Sequence, residues 1–312
     1  MAAKKVVEVK AKNKRNLSAS LQLGPIDPQP PSAMIYSLGD SWFTYPTIFD
    51  QGAPINLIRA LDAATQPHGT RYFLNEHGKA GATSDDLTTG DYLDDLTQGL
   101  GDEYDFLLLS MGGNDFVGTN TVDGKVITSF GNFLVDYDKQ TQGKDLLNQQ
   151  ALSARMDQTL ANYQKVFRLC EATSANQNLA IVAHVYDFPL PTDRGARVLN
   201  RWQVLGPWMY TDLVKRNIPK KLWPAVARAF LEQFSARLNA LAVDLNTHTQ
   251  TGIRLLIADT QGTLPALDPD YWINEIHPKN IGYELLIKKF EEIIDPIRDS
   301  LAPAKWRNWP KY

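Results

Sequence analysis

Short runs of consecutive apolar residues alternate along this chain with longer segments in which apolar and polar positions recur at helical spacing. The apolar runs have the length and composition of strands that are covered on both faces of a parallel sheet. The clearest run is 105–111, which ends at a pair of glycines. We predict strands at 33–36, 71–75, 105–111, 179–185 and 254–258.

The intervening segments carry apolar residues every three or four positions, which is the spacing of one helix face. Ser84 precedes two aspartates and is predicted to cap the helix that follows it. Pro296 is predicted to perturb the last helix, because proline lacks a backbone N–H and crowds the preceding turn. The predicted helices are 54–66, 84–100, 152–170, 226–245 and 281–301.

Strands and helices alternate throughout, and no repeat divides the pattern into halves. This alternation predicts one α/β domain, in which helices cover both faces of a parallel sheet. We place the domain at 33–301, with insertions after its third and fourth strands and a candidate cap at 190–224 that contains several tryptophans. A basic, proline-rich arm (1–32) precedes the domain, and a tail (302–312) follows it.

Composition narrows the class of protein only slightly. The chain has 312 residues, 43% of them apolar, and a formal net charge of -3, which gives no reason to expect a nucleic-acid partner. Cys170 is the one cysteine, so no internal disulfide is expected. No stretch approaches the about 18 apolar residues of a membrane span, and the N-terminus lacks the apolar core of a secretory signal. We therefore expect a cytoplasmic protein, and export by another route stays open.

Four polar sites follow predicted strands or lie in a late loop: Ser41, the glycine loop 78–83, Asn114 and His277. The carboxyl ends of parallel strands share one edge of the sheet, where open α/β folds bind their ligands. At that edge Ser41 has the chemistry of a nucleophile, and His277 that of the base which removes its proton. The backbone N–H groups of Ser41 and Gly81, together with the side-chain amide of Asn114, can stabilise an oxyanion.

These sites lie in blocks whose order along the chain resembles that of the SGNH hydrolases, also called the GDSL lipase/esterase family. The blocks are Gly39-Asp40-Ser41, Gly81-Ala82-Thr83, Gly112-Gly113-Asn114-Asp115 and Ile276-His277-Pro278, the last followed by Gly282-Tyr283. The resemblance spans roughly residues 33–300. It implies a flavodoxin-like, three-layer α/β/α fold around a central parallel five-stranded sheet. It also implies ester hydrolysis through an acyl-enzyme on Ser41, with His277 as base and no metal or organic cofactor.

One position departs from the family pattern. Family members usually carry an aspartate three residues before the histidine, and this chain has Asn274 there. An amide oxygen can orient an imidazole but cannot offset the charge of an imidazolium, and replacing the acid by its amide costs a serine protease about 10,000-fold. We expect Asn274 to orient His277, with Glu275 and Asp187 as alternative acids behind it.

Two further groups near these blocks have structural interpretations. Asp40 is expected to brace the turn before Ser41 through backbone hydrogen bonds rather than to act as acid or base. His184 and Asp187 have the spacing of a metal-binding pair. No further His or Cys cluster completes such a site, which favours structural hydrogen bonding for both.

The sequence therefore predicts a carboxylic ester hydrolase that acts on a small-molecule or lipid ester. Removal of acetyl groups from a carbohydrate is the alternative within the same chemistry, since one constellation serves both reactions. A binding module that kept the fold and lost the activity is the alternative from another class, and Asn274 is its only support. The natural ester, its acyl-chain length and the oligomeric state stay open.

Overall fold

A computed structural model of the chain describes residues 33–46, 56–65, 72–122, 125–139, 143–198 and 202–308. The predicted arm (1–32) lies outside the described residues, as do 309–312. Residues 54, 55 and 66 of the predicted helix 54–66 and residue 71 of the predicted strand 71–75 also lie outside them.

The described elements follow the predicted alternation closely. The strands are β1 (Ala33–Gly39), β2 (Tyr72–Gly78), β3 (Phe106–Ser110), β4 (Thr119–Val122), β5 (Lys125–Thr128), β6 (Ala180–His184), β7 (Ala196–Val198), β8 (Trp202–Leu205) and β9 (Arg254–Ala258). The α-helices are α1 (Ser41–Thr44), α2 (Leu57–Thr65), α3 (Ser84–Leu87), α4 (Gly90–Gly99), α5 (Gly113–Val117), α6 (Gln149–Thr173), α7 (Tyr210–Lys215), α8 (Trp223–His248) and α9 (Asn280–Asn308).

The core of the molecule is a five-stranded sheet with the order β2-β1-β3-β6-β9, in which every neighbouring pair is parallel. All residues of β3 and β6 are buried, as expected where helices cover both faces of a sheet. Helix α2 packs against α9 on one face, and α6 packs against α3, α4 and α8 on the other. The predicted three-layer α/β/α arrangement is thereby confirmed.

The carboxyl ends of the central strands are level with one another. Gly39 at the end of β1 pairs with Gly78 of β2 on one side and with Ser110 of β3 on the other. A Cβ atom on Gly39 would lie 2.6 Å from the ring of Phe43, and one on Gly78 would lie 2.2 Å from the carbonyl oxygen of Gly39. The small residues at this edge let the strand ends and the first helix approach closely.

The predicted helix 84–100 is two helices, α3 and α4, and its predicted cap is wrong. Thr83 is the N-cap of α3, and its hydroxyl and the carboxylate of Asp86 form a capping box. The Ser84 hydroxyl instead donates to a carboxylate oxygen of Asp115 at 2.7 Å. The break between the two helices coincides with Gly90, which adopts φ +52°. The polar periodicity continues through this glycine and therefore could not reveal the break.

Helix α9 continues without interruption through Pro296 to Asn308. The predicted perturbation at Pro296 therefore does not end the helix, and the helix extends past residue 302, where the predicted tail begins. A proline inside a helix removes one hydrogen bond and usually bends the helix, and tertiary packing can carry the helix past it. Beyond the proline, Ile297 is partly buried against the core, and Arg298 donates to the hydroxyl of Tyr72 at 2.9 Å, so tertiary contacts hold the helix on that side.

Two insertions stand above the carboxyl edge, as predicted, after the third and fourth core strands. The first contains the antiparallel hairpin β4–β5, and the second contains the antiparallel hairpin β7–β8 and helix α7. Asp212 of α7 joins them, because its carboxylate accepts the hydroxyl of Thr128 and, at 2.8 Å, the backbone N–H of Gly131. Within the described ranges, no helix combines the length and apolar character needed to cross a membrane.

Candidate active site

The first site residue, Ser41, begins helix α1 directly after the end of β1. Asp40 is the N-cap of this helix, and its Oδ1 accepts the backbone N–H of Trp42 at 3.0 Å. The backbone N–H of Asp40 donates to the carbonyl oxygen of Ser110 at 3.0 Å, which ties the turn to the neighbouring strand. Ser41 is thus held at a fixed point of the sheet edge, and the bracing role predicted for Asp40 is confirmed.

His277 meets Ser41 although 236 residues separate them in the chain. The Nε2 atom of His277 lies 2.8 Å from the Ser41 hydroxyl oxygen, which is hydrogen-bonding distance. The other ring nitrogen, Nδ1, lies 2.9 Å from the side-chain carbonyl oxygen of Asn274. That oxygen can only accept, so Nδ1 carries the proton, and Nε2 is left as the acceptor that faces the hydroxyl.

The orientation of the Asn274 amide follows from its other partners. Its Oδ1 also accepts the backbone N–H groups of Ile276 at 3.2 Å and His277 at 3.0 Å, so the carbonyl end must face the imidazole. Its Nδ2 donates to the hydroxyl of Tyr45 at 3.1 Å. The backbone N–H of Ile273 closes this loop by donating to the carbonyl oxygen of His277 at 2.9 Å. Asn274 is therefore placed to set both the direction and the tautomer of the imidazole.

The imidazole of His277 is enclosed by aromatic rings. The ring of Tyr45 lies 4.4 Å from it and the ring of Trp208 lies 5.4 Å from it. Burial lowers the pKa of His277 to about 3, because an imidazolium would lose its hydration there. The side chain is therefore neutral, and able to accept a proton, throughout the physiological pH range.

The two alternative acids are engaged elsewhere. The Glu275 carboxylate accepts the backbone N–H groups of Trp208, Met209 (2.8 Å) and Tyr210 (2.7 Å), and burial raises its pKa to about 8. It thereby ties the loop that carries His277 to the start of α7.

Asp187 accepts the backbone N–H groups of Phe188 (2.7 Å), Gly262 (2.6 Å) and Leu264 (2.7 Å), and so shapes the loop after β9. Asn274, rather than Asp187 or Glu275, is the residue that contacts the imidazole of His277.

The two remaining predicted residues follow the neighbouring strands β2 and β3: Gly81 is in the loop after β2, and Asn114 is in the helix after β3. Asn114 is in the first turn of α5, which begins after Gly112 in left-handed conformation (φ +108°), and its Nδ2 donates to the carbonyl oxygen of Ala82 at 3.0 Å. This bond brings the Asn114 loop against the Gly81 loop. Gly81 has φ +83°, and no atom lies within 4 Å of the place a Cβ would take, so open space adjoins its backbone.

A buried hydrogen-bond network lies beneath Ser41, and two of its members, Ser110 and Tyr186, were missed from the sequence. The Ser110 hydroxyl lies 2.8 Å from Asp40 Oδ1 and 2.8 Å from His184 Nε2. The Tyr186 hydroxyl donates to Asp40 Oδ2 at 2.6 Å and accepts the backbone N–H of Gly113 at 3.0 Å. Tyr186 thereby links the turn that carries Ser41 to the glycine loop before Asn114, and it does so from a left-handed backbone conformation that such residues rarely adopt (φ +55°).

The sequence did contain one sign of this network, namely the positions of its polar residues at the ends of predicted strands. Asp40, Ser110 and His184 end or follow three neighbouring strands of the sheet. Burial lowers the pKa of His184 to about 3, so it acts as a neutral hydrogen-bonding group, as predicted. Burial raises the pKa of Asp40 to about 6, and the three side-chain and backbone donors around it oppose that shift.

An apolar pocket opens beside Ser41. The pocket is partly open to solvent, and both Ser41 and Asn114 line it. Its backbone wall is the Gly112–Gly113 segment. Its main apolar walls are Phe116 and Val117 of α5, Met209, and Phe230, Leu231 and Phe234 of α8.

A lipase from a goat rumen metagenome has a similar structure, with 12% sequence identity, 83% of this chain and 96% of that chain covered, and a TM-score of 0.52. The chain has the SGNH hydrolase fold. This likeness concerns the SGNH fold alone, because the identity is low.

Two further solved structures resemble this chain less closely. A mutant of Axe2, an acetyl-xylooligosaccharide esterase from Geobacillus stearothermophilus, has 14% identity, 84% and 94% coverage and a TM-score of 0.49. A GDSL-like lipase from Parabacteroides merdae has 12% identity, 84% and 95% coverage and a TM-score of 0.46. No protein-family model matches the sequence, and no curated protein matches it.

Proposed function

We infer that this protein is an SGNH-type serine hydrolase that cleaves carboxylic esters. The observation that carries the proposal is the chain of two contacts from the Ser41 hydroxyl to His277 Nε2 (2.8 Å) and from His277 Nδ1 to the Asn274 carbonyl oxygen (2.9 Å). A nucleophile, a base and a group that orients the base are the parts of a serine hydrolase site, and geometry identifies them on any fold. The ordered sequence blocks and the SGNH fold support the same function.

In this mechanism the Ser41 oxygen attacks the acyl carbon of the ester while its proton passes to His277 Nε2. The carbonyl oxygen becomes an oxyanion that the backbone N–H groups of Ser41 and Gly81 and the Asn114 amide stabilise. A primary amide has two N–H bonds, so Asn114 keeps one for the oxyanion while the other binds Ala82. His277 then gives the proton to the leaving alcohol, and a water molecule hydrolyses the acyl-enzyme by the same steps in reverse.

The presence of Asn274 instead of an acid is compatible with activity when the role of this residue is to hold the tautomer of the His277 imidazole. In a serine protease, replacing the acid by an amide is costly largely because it leaves the imidazole in the wrong tautomer. Here the Asn274 oxygen accepts two backbone N–H groups, which keeps its amide from turning its NH2 toward His277. The proposal is therefore a Ser41–His277 dyad with a neutral orienting residue.

Two measurements on the full chain test the proposal. An alkyl fluorophosphonate should form a P–O bond to Ser41 with loss of fluoride, which intact-mass spectrometry detects, and p-nitrophenyl acetate and butyrate should be hydrolysed. Ser41→Ala and His277→Ala should each reduce kcat by at least about 10,000-fold. Ser153→Ala and His248→Ala make the same changes at exposed positions and should leave kcat unchanged. A folded wild-type protein that neither reacts with the probe nor hydrolyses either ester is a binding module instead.

A further inference from the structure

The apolar walls of the pocket beside Ser41 have no part in the bond-breaking steps. We propose that the pocket binds the hydrocarbon chain of the acyl group, so that the substrates are esters of medium-length fatty acids rather than acetyl groups on a carbohydrate. This inference rests on the proposed ester hydrolysis and adds its substrate class.

The position of the pocket relative to the catalytic residues indicates which half of the ester enters it. The leaving alcohol must face His277, because His277 returns the proton to it. Ser41 and Asn114 line the pocket, while His277 is not among the described residues that line it. A carbonyl group placed between Ser41 and Asn114 therefore directs its acyl side into the pocket and its alkoxy side toward His277.

The walls of the pocket suit a hydrocarbon. Phe230, Leu231 and Phe234 lie on one stretch of α8, and Phe116 and Val117 face them from α5, with Met209 beside them. The rings of Phe116 and Phe230 are 4.8 Å apart, so this wall is a packed aromatic cluster. Apolar surface of this kind gains about fourfold in binding for each methylene group that it removes from water.

The polar residues of the pocket are already engaged, which argues against a sugar. The Asp40 oxygens accept from Trp42, Ser110 and Tyr186. The Asp187 oxygens accept backbone N–H groups of the loops around it. Sugar hydroxyls buried here would exchange water for apolar walls, and each buried hydroxyl without a partner costs binding free energy.

The experiment measures kcat/KM for p-nitrophenyl acetate, butyrate, hexanoate and octanoate below their micelle concentrations, in the wild type and in three variants. Leu231→Trp fills the pocket from α8, and Val117→Thr places a hydroxyl on its wall at nearly constant volume. Val243→Trp is the matched control, because Val243 is on the same helix and 67% exposed. Near-UV circular dichroism checks the fold of each variant, and Val117→Thr carries the test should Leu231→Trp misfold.

We expect kcat/KM of the wild type to rise by about fourfold per methylene from acetate to hexanoate. Leu231→Trp should lower the octanoate-to-acetate ratio of kcat/KM by at least about tenfold, and Val117→Thr should lower it by about threefold. Val243→Trp should leave the ratio unchanged.

A wild type that prefers acetate, or pocket variants that leave the ratio unchanged, would overturn the acyl-chain assignment while leaving ester hydrolysis intact. Hydrolysis of acetylated xylo-oligosaccharides with a higher kcat/KM than any p-nitrophenyl ester would overturn it in favour of a carbohydrate substrate. Absence of turnover together with absence of fluorophosphonate labelling at Ser41 would overturn the proposed function itself.

Discussion

Replacing Asn274 by aspartate tests the proposed role of this residue directly, because the change adds one negative charge with little change of shape. The Asn274 oxygen lies 2.9 Å from His277 Nδ1, which places the centre of a carboxylate about 4 Å from the centre of an imidazolium. At an effective dielectric constant of about 20, this separation corresponds to about 4 kcal/mol of attraction. Because one pKa unit is about 1.4 kcal/mol, the pKa of His277 should rise by about 3 units.

The structure can accommodate the new carboxylate. The backbone N–H groups of Ile276 and His277 already donate to the oxygen at this position. The hydroxyl of Tyr45, which now accepts from the Asn274 amide, can turn and donate to the second carboxylate oxygen. The buried charge therefore keeps hydrogen-bond donors on both oxygens, so the variant should fold.

The assay is the pH dependence of kcat/KM for p-nitrophenyl butyrate. In the wild type, burial lowers the pKa of His277 to about 3, so the neutral base persists well below pH 6 and the acid limb should lie near the lowest pH at which the protein stays folded. In Asn274→Asp the raised pKa should move that limb upward, to about pH 6. If half of the added attraction is present in the transition state, kcat at pH 8 should rise by about 30-fold.

Asn239→Asp makes the same substitution on the exposed face of α8, and its pH profile should match that of the wild type. An Asn274→Asp protein that is folded and active but has the acid limb of the wild type would refute this account of the site. That result would mean that the group at position 274 does not interact electrostatically with the imidazole during turnover.

Three further substitutions have expected outcomes. Tyr186→Phe removes the hydroxyl that links the Ser41 turn to the glycine loop. Steady-state kinetics should show that kcat falls by about tenfold with little change in KM. A change in KM alone would contradict this role of Tyr186. Glu275→Ala leaves backbone N–H groups at the start of α7 without their acceptor, so denaturant titration should show that the free energy of unfolding falls by about 2–4 kcal/mol. The kcat should fall far less than in His277→Ala. Equal losses of kcat would assign Glu275 to the catalytic step. In Gly81→Ala the added Cβ meets no atom within 4 Å, but the backbone at φ +83° is strained by about 1–2 kcal/mol. The variant should therefore have a lower kcat, because the N–H of residue 81 is displaced, and an unchanged KM for a small ester. A rise in KM with unchanged kcat would point to a steric clash instead.

The sheet could be predicted because its strands carry their own signal. β3 and β6 are continuous apolar runs, and β9 has the predicted bounds 254–258. The prediction failed where local pattern and backbone geometry diverge. Between α3 and α4 the polar periodicity continues through a turn, and in α9 the packing of the helix carries it past Pro296.

In the candidate site, too, the residues that follow a clear sequence pattern could be placed, and those whose direction depends on backbone geometry could not. Ser41 and Asn114 could be placed at the sheet edge, because each follows a recognisable strand. For the residue that orients His277, the sequence could only rank the candidates, because Asn274 and Glu275 are adjacent in the chain and point to different partners. Their directions depend on the short loop that the Ile273–His277 backbone hydrogen bond closes, and such a bond leaves no pattern in the sequence.

The same loop explains how an amide can occupy the position of an acid. His277 and Asn274 are 3% and 2% exposed, and aromatic rings of Tyr45 and Trp208 cover the imidazole. A carboxylate there would have to be stripped of water, whereas an amide holds the tautomer at a much lower desolvation cost. In the proposed mechanism the imidazolium then receives less electrostatic help in the transition state, so a larger share of the catalytic effect would come from the oxyanion donors. In that arrangement the Tyr186 hydroxyl, which links the turn that carries Ser41 to the glycine loop before Asn114, matters more than it would beside a charged triad.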